Sequence, residues 1–252
     1  MTNPSYLTTE SGQRIAYQRQ AGEGVGVVFL HGYRSDMEST KAAALAECCA
    51  AHHMPYTRFD YLCHGQSDGE FIDFRIGRAL ESTLDILDHA AAEEVILVGS
   101  STGGWVSLLA ALQRPRQVRG IIGVAAAPDF TERLMYRQFS PEQRVTLERE
   151  GVLHLHSDYF DNDYPVPLEF ITEARRHLLL DHPIPLSIPV HLLQGQLDDS
   201  VPWETAIQIG EKLTGDEVTI TLIKDGDHRL NRPQDLSLLT ESLLRMRNRL
   251  NN

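Results

Sequence analysis

Val95-Ile96-Leu97-Val98-Gly99-Ser100-Ser101-Thr102-Gly103-Gly104-Trp105 is an apolar run that enters a glycine- and serine-rich turn and continues into a second apolar stretch reaching Leu112. Four consecutive aliphatic residues without polar alternation suit a strand buried on both faces, as in a parallel sheet. The turn carries Gly-x-Ser-x-Gly, with Gly99 and Gly103 two residues to either side of Ser101. A hydroxyl raised out of a sheet needs a strand-to-helix turn so tight that only glycine fits at those two positions. The order strand, turn, helix therefore predicts that Ser101 is a nucleophile.

Outward from this stretch, runs of the same kind recur at Val25–Leu30, Pro55–Phe59, Ile121–Ala125, Val190–Gln194 and Val218–Ile223. Arg14–Gln18, after a Ser11-Gly12 turn signal, reads as an antiparallel edge strand in a starting hairpin. Between the runs lie helical periods. Ala42, Leu45, Cys49 and His52 share one face, Ile76, Leu80, Leu84, Leu87 and Ala91 another, and Leu236, Leu239, Leu243, Met246 and Leu250 a third behind Pro233. This alternation predicts an α/β fold: a mostly parallel, doubly wound sheet with its active-site loops at the carboxyl ends of the strands. From Pro128 to Pro189 no convincing strand is found, and helical pieces carry the apolar residues. The expected organisation is a core domain of residues 1–127 and 190–252 with a helical cap, 128–189, inserted over the catalytic face.

A serine hydroxyl needs a base to take its proton and a carboxylate to orient that base. Gly195-Gln196-Leu197-Asp198-Asp199-Ser200-Val201-Pro202 and Asp227-His228-Arg229 each follow a strand, so the chain order is Ser, Asp, His. Asp198, three residues after Gly195 and three before Val201, is preferred to Asp199, and Asp129 after Ile121–Ala125 is a third candidate. Among eleven histidines, His31 and His64 sit in turns after strands and are read as structural, and His154 with His156 as solvated cap residues. The developing oxyanion of an acyl transfer requires two backbone donors, for which the amides of Thr102 and Tyr33 are the candidates. A scatter of Met135, Tyr136, Phe139, Phe160, Tyr164 and Phe170 in the cap, with Trp105 and Trp203 from the core, is read as an apolar acyl site; plain packing competes with that reading.

Composition narrows the class further. The 252 residues are 42% hydrophobic and 23% charged, which fits one large globular unit. A net charge of −12 argues against nucleic-acid phosphates and anionic membranes as partners. Three cysteines, Cys48, Cys49 and Cys63, do not make a disulfide framework. Met1–Glu10 lacks a basic start and an apolar stretch, and no run approaches a membrane span, so a cytoplasmic chain is expected. No dinucleotide or phosphate loop is present, so no cofactor or metal is expected.

At His31-Gly32, Asp60-Tyr61, Gly65-Gln66-Ser67-Asp68-Gly69, Gly99–Gly104, Gly195 with Asp198 and Val201-Pro202, and His228, the chain resembles the α/β-hydrolase superfamily over nearly its whole length. Phe29–Tyr33, Arg58–Tyr61, Gly103-Gly104-Trp105, Val201-Pro202-Trp203 and Asp227-His228-Arg229 resemble, more narrowly, the mitochondrial palmitoyl-protein thioesterase branch that also hydrolyses acyl glucuronides. The resemblance implies a cofactor-free serine esterase with a Ser101–His228–Asp198 triad, acting on small-molecule or acylated-protein esters and thioesters. Carbon–carbon bond hydrolysis or peptidase chemistry on the same triad, and ligand binding without turnover, are the rival readings.

Overall fold

A computed structural model describes residues 3–156 and 163–250. In chain order the core begins with β1 (Ser5–Thr8), β2 (Arg14–Gln20), β3 (Gly26–Leu30), α1 (Thr40–Ala51), β4 (Tyr56–Phe59), α2 (Ile76–His89), β5 (Val95–Ser100), α3 (Thr102–Gln113) and β6 (Val118–Val124). It resumes at β9 (Val190–Gly195), followed by α6 (Glu204–Lys212), β10 (Val218–Ile223) and α7 (Pro233–Leu250). These strands form one sheet in the order β1-β2-β4-β3-β5-β6-β9-β10. Strands β4, β3, β5, β6, β9 and β10 run parallel, and β2 joins antiparallel to β4.

Strand pleating sorts the apolar residues into two layers. Val28 and Leu30 of β3 and Val95 and Leu97 of β5 pack with α2, α3 and α6, while Val27, Phe29, Ile96 and Val98 pack with α1 and α7. Unalternating sequence is thus what two covered faces require. The Arg14–Gln18 strand is not the edge: β1, with exposed and half-exposed residues, pairs outside β2 and completes the expected hairpin. His52 also departs from its expected place, since α1 ends at Ala51 and His52 lies exposed just beyond it.

Between β6 and β9 the chain leaves the sheet. It forms a wide helical turn at Thr131–Met135, then α4 (Pro141–Glu150), β7 (Val152–Leu155), β8 (Tyr164–Pro167) and α5 (Leu168–Ala174). Ser140 caps α4, accepting from the Gln143 N–H while the Gln143 side chain accepts from the Ser140 N–H, and Gly151 (φ 74°) ends it. β7 and β8 are an antiparallel pair, so this segment is not purely helical as expected. Phe160 lies outside the described residues.

Among the contacts that fasten the segment to the core, a buried carboxylate and an aromatic seam stand out. The fully buried Asp129 carboxylate, just past β6, accepts from Leu179 N and Leu180 N, both at 2.8 Å. An aromatic seam also joins the two parts: the Tyr33 ring stacks on Phe170 with centroids 5.3 Å apart and meets Phe130 at 5.8 Å.

Candidate active site

Ser101 stands between β5 and α3 with φ 53° and ψ −116°, backbone angles that few non-glycine residues adopt. The turn is pinned by Ser101 N donating to Val124 O at 2.9 Å and Ala127 N donating to Ser101 O at 3.1 Å. The two glycines are sterically required: a Cβ at Gly99 would collide with the Gly103 carbonyl, and one at Gly103 with the Leu30 carbonyl.

Asp198 follows β9, and His228 follows β10. Both Asp198 oxygens are fully employed. Oδ1 accepts from Ser200 N at 2.9 Å and Val201 N at 2.8 Å, and Oδ2 accepts from Gln194 Nε2 and from His228 Nδ1, each at 2.9 Å. The Asp198 side chain is fully buried and that of His228 is 21% exposed, so the imidazole is oriented from behind and reachable from in front. With Nδ1 donating to the carboxylate, Nε2 is left as the free acceptor. His228 and Ser101 line one cleft of about 700 Å³. Among the described residues no hydrogen bond joins Ser101 Oγ to His228; such contacts commonly tighten only when substrate is bound.

Asp199 is exposed and holds Ser200 Oγ at 3.0 Å; it does not contact His228. Asp129 is spent on the Leu179 and Leu180 amides. His31 is fully buried with Nδ1 donating to Gly32 O at 2.8 Å, and burial pushes its pKa down to about 4. His64 accepts from Arg34 N at 3.2 Å through Nε2, and burial, with His31 beside it, lowers its pKa to about 3. Both imidazoles are therefore neutral near pH 7 and serve the loops. Asp60, which accepts from Met37 N and Gln66 N, staples those same loops, and burial raises its carboxyl to about 6.

Tyr33 and Thr102 both line the cleft, and among the described residues neither backbone N–H is engaged by a protein acceptor. The Tyr33 ring itself belongs to the aromatic seam, where burial raises the phenol pKa.

Of the side chains expected to hold substrate, Met135, Phe139 and Tyr164 line the cleft, together with Phe130, Leu134 and Leu155. Phe170, in the aromatic seam, does not, nor do Trp105, Tyr136 and Trp203. Trp105 is fully buried and donates its indole N–H to His177 O at 3.0 Å. Tyr136 packs under Arg175 and Arg144, at 4.6 and 5.2 Å from its ring centroid. Trp203 sits half-buried at the start of α6, away from the cleft lining. A tryptophan one turn past the nucleophile turns inward because α3 is buried on nearly every side.

Sequence reasoning overlooked Gln194, which donates to Asp198, and the basic residues of the cleft lining, Arg34, Lys41 and Arg229. Gln194 carried a signal, being a polar residue at the end of an otherwise apolar strand. Lys41 carried none, since it reads as an ordinary residue in the first turn of a helix.

A doubly wound sheet with a serine at positive φ after a central strand, in one cleft with a carboxylate-bonded histidine, is the arrangement of an α/β hydrolase. The chain belongs to the α/β hydrolase family, whose sequence pattern matches residues 27–236, and it is a hydrolase. It is 37% identical over 243 residues to the bovine mitochondrial palmitoyl-protein thioesterase ABHD10, a match covering 96% of this chain and 79% of the relative. Among solved structures, mouse alpha/beta hydrolase domain-containing protein 10 superposes with a TM-score of 0.92 at 35% identity, covering 99% of this chain and all of that one. A putative hydrolase from Agrobacterium vitis S4 gives the same score and identity over 96% of this chain and 98% of its own. The cytoplasmic expectation finds no support in the ABHD10 relatives, whose names place them in mitochondria. No helix among the described residues is long and apolar enough to cross a membrane.

Proposed function

We propose that the chain is a serine hydrolase that cleaves acyl esters or thioesters through an acyl-enzyme, with Ser101, His228 and Asp198 as its triad. The observation that carries this reading is the 2.9 Å bond from His228 Nδ1 to a buried, four-times-bonded Asp198, in a cleft that also contains Ser101. His228 Nε2 takes the Ser101 proton as Oγ attacks the acyl carbonyl. The amides of Tyr33 and Thr102 hold the oxyanion, the carbon–oxygen or carbon–sulfur bond breaks, and the leaving group takes the proton from His228. Water, activated by the same base, then releases the acid.

Residues 128–189 act in this reading as a cap. Their Leu134, Met135, Phe139 and Leu155 supply an apolar wall, which suits an acyl chain. The relatives named as palmitoyl-protein thioesterases agree with a fatty-acyl substrate, either a small ester or thioester or an acylated protein. The test is fluorophosphonate labelling together with turnover of matched nitrophenyl esters and acyl thioesters, for the wild type and Ser101→Ala. The expected result is labelling and turnover of both substrate types in the wild type only. Labelling that persists at another serine in the variant overturns the assignment.

A further inference from the structure

Among the described residues several contacts tie down the loop that carries His228, one of them Leu197 N donating to Gly226 O at 2.8 Å from the loop after β9. Asp227 Oδ1 accepts from Leu230 N at 2.9 Å, which bends the chain immediately after the base, and Leu230 takes φ 41°. Farther on, Arg232 spans Asp225 and Asp235 with nitrogen–oxygen contacts of 2.8 Å to each. Both of these ties are made within the loop and the first turn of α7. A further tie reaches in from α1. Lys41 in the first turn of α1 donates through Nζ to the main-chain oxygen of Arg229 at 2.6 Å, across 188 residues of sequence. That oxygen belongs to the residue next to the base, and Lys41 itself lines the cleft with Ser101 and His228.

We propose that Lys41 is a positioning residue for the catalytic base: its ammonium clamps the Arg229 carbonyl and so fixes the His228 imidazole against Asp198 and within reach of Ser101. The inference rests on the serine-hydrolase reading above. An ammonium is a stronger donor to a carbonyl than a neutral amine, so the clamp is strongest while Lys41 is charged. The charged groups around it are Asp227 and Arg229 of the base loop and Asp235 of α7, the last also held by Arg232. The carboxylates favour the ammonium, while burial, the largest influence, and Arg229 oppose it, and the outcome is a pKa lowered to about 8. The clamp therefore weakens in mildly alkaline solution.

The experiment compares wild type, Lys41→Met, Lys41→Gln and Lys41→Arg on one uncharged nitrophenyl ester, with kcat and KM measured separately from pH 6 to 10. Melting curves confirm that each variant is folded, and Ser101→Ala sets the background. At pH 7, K41M is expected to lose about ten- to a hundredfold in kcat, the range for a displaced catalytic group, with KM within about twofold. K41Q, which keeps a neutral donor, falls between K41M and wild type, and K41R restores kcat to within about threefold. The wild-type kcat declines above pH 8; that limb is missing in K41M and displaced beyond the measured range in K41R. A K41M enzyme with wild-type kcat overturns the proposal, as does an alkaline limb that persists unchanged in K41M and K41R. Wild-type turnover no greater than that of Ser101→Ala would instead refute the serine-hydrolase reading itself.

Discussion

Replacing Asp198 by asparagine tests the site through its hydrogen-bond count. The carboxylate receives four donors, two on each oxygen. An asparagine has one oxygen and one NH₂, so one pair of donors must now face another donor. If the NH₂ replaced Oδ1 it would oppose the backbone amides of Ser200 and Val201, which cannot reorient. Placed at Oδ2, it opposes Gln194 and His228, and both of these can adapt. Gln194 can turn its carboxamide, whose Oε1 has no partner and whose Nε2 also serves Val201 O at 3.1 Å. His228 can move its proton from Nδ1 to Nε2. That second adjustment inactivates the base, because Nε2 can no longer accept from Ser101. Wrong-tautomer trapping of this kind costs about 10⁴-fold in kcat, which is near 5 kcal/mol of transition-state stabilisation. The turned Gln194 gives up its bond to Val201 O, so a small loss of stability accompanies the loss of turnover. Asp199→Asn alters an exposed side chain that contacts Ser200 Oγ and should change kcat less than about threefold. The assay is steady-state ester hydrolysis at pH 7 with matched melting curves. Retention of a tenth of wild-type kcat by D198N, or a larger loss in D199N, refutes the reasoning.

Asp129→Ala strips the acceptors from a half-buried and a buried amide, Leu179 and Leu180, and should cost about 1–4 kcal/mol in a denaturant titration; a change below about 1 kcal/mol contradicts its role as a fastening of the 128–189 segment. The apolar wall built by Leu134, Met135, Phe139 and Leu155 predicts that kcat/KM rises about two orders of magnitude for four added acyl carbons, and a flat or falling series from acetyl to decanoyl removes the acyl-site reading. Stability should also fall in acid. His31 and His64 have pKa values lowered to about 4 and about 3, so the unfolded chain binds their protons first, and stability present above pH 6.5 is lost as the pH drops. Between pH 6.5 and 5 each histidine costs about 2 kcal/mol, while Asp60, raised to about 6, returns about 1. A urea midpoint that holds or rises over that interval rules this out.

The legible parts of this molecule are those in which a local pattern and a long-range requirement coincide. The β5–Ser101–α3 turn could be read because its glycines answer collisions with the backbone of the same turn and of the neighbouring β3. Asp198 and His228 could be placed side by side because each follows a strand of the same parallel sheet, and they meet in a 2.9 Å hydrogen bond. The hidden parts are those in which one local signal serves two ends. Tyr164-Pro165-Val166-Pro167 looks unlike a strand, since proline lacks the N–H that a ladder uses, yet in a two-stranded ribbon one edge of β8 needs no partner. β1 is four residues long with little buried side chain, so its sequence carries no periodic trace. The aromatic residues of the cleft region were ambiguous for another reason: lining a cavity and filling a core make the same demand for apolar area. Trp105 filled the core because its indole N–H found the His177 carbonyl there.

Charge behaves in the same way. The chain as a whole carries −12, yet the described residues lining the cleft include Arg34, Lys41 and Arg229 and no carboxylate. Net charge governs solubility and long-range repulsion, whereas a cleft with low-dielectric walls responds to the few charges that border it. Those three residues come from the loop after β3, the start of α1 and the loop after β10, so no window of sequence contains the basic wall. The apolar wall, by contrast, comes from the one segment between β6 and β9. Ser101 lines the same cleft as both groups, the apolar side chains of the inserted segment and the basic and hydroxyl-bearing residues of the core loops. The proposed chemistry needs that division: the acyl half gains from desolvation, while the leaving-group half must accept a proton and depart toward water. Assigning the first task to the inserted segment and the second to core loops lets chain-length preference change by substitutions at 128–189 without moving Asp198, His228 or the loop that holds them.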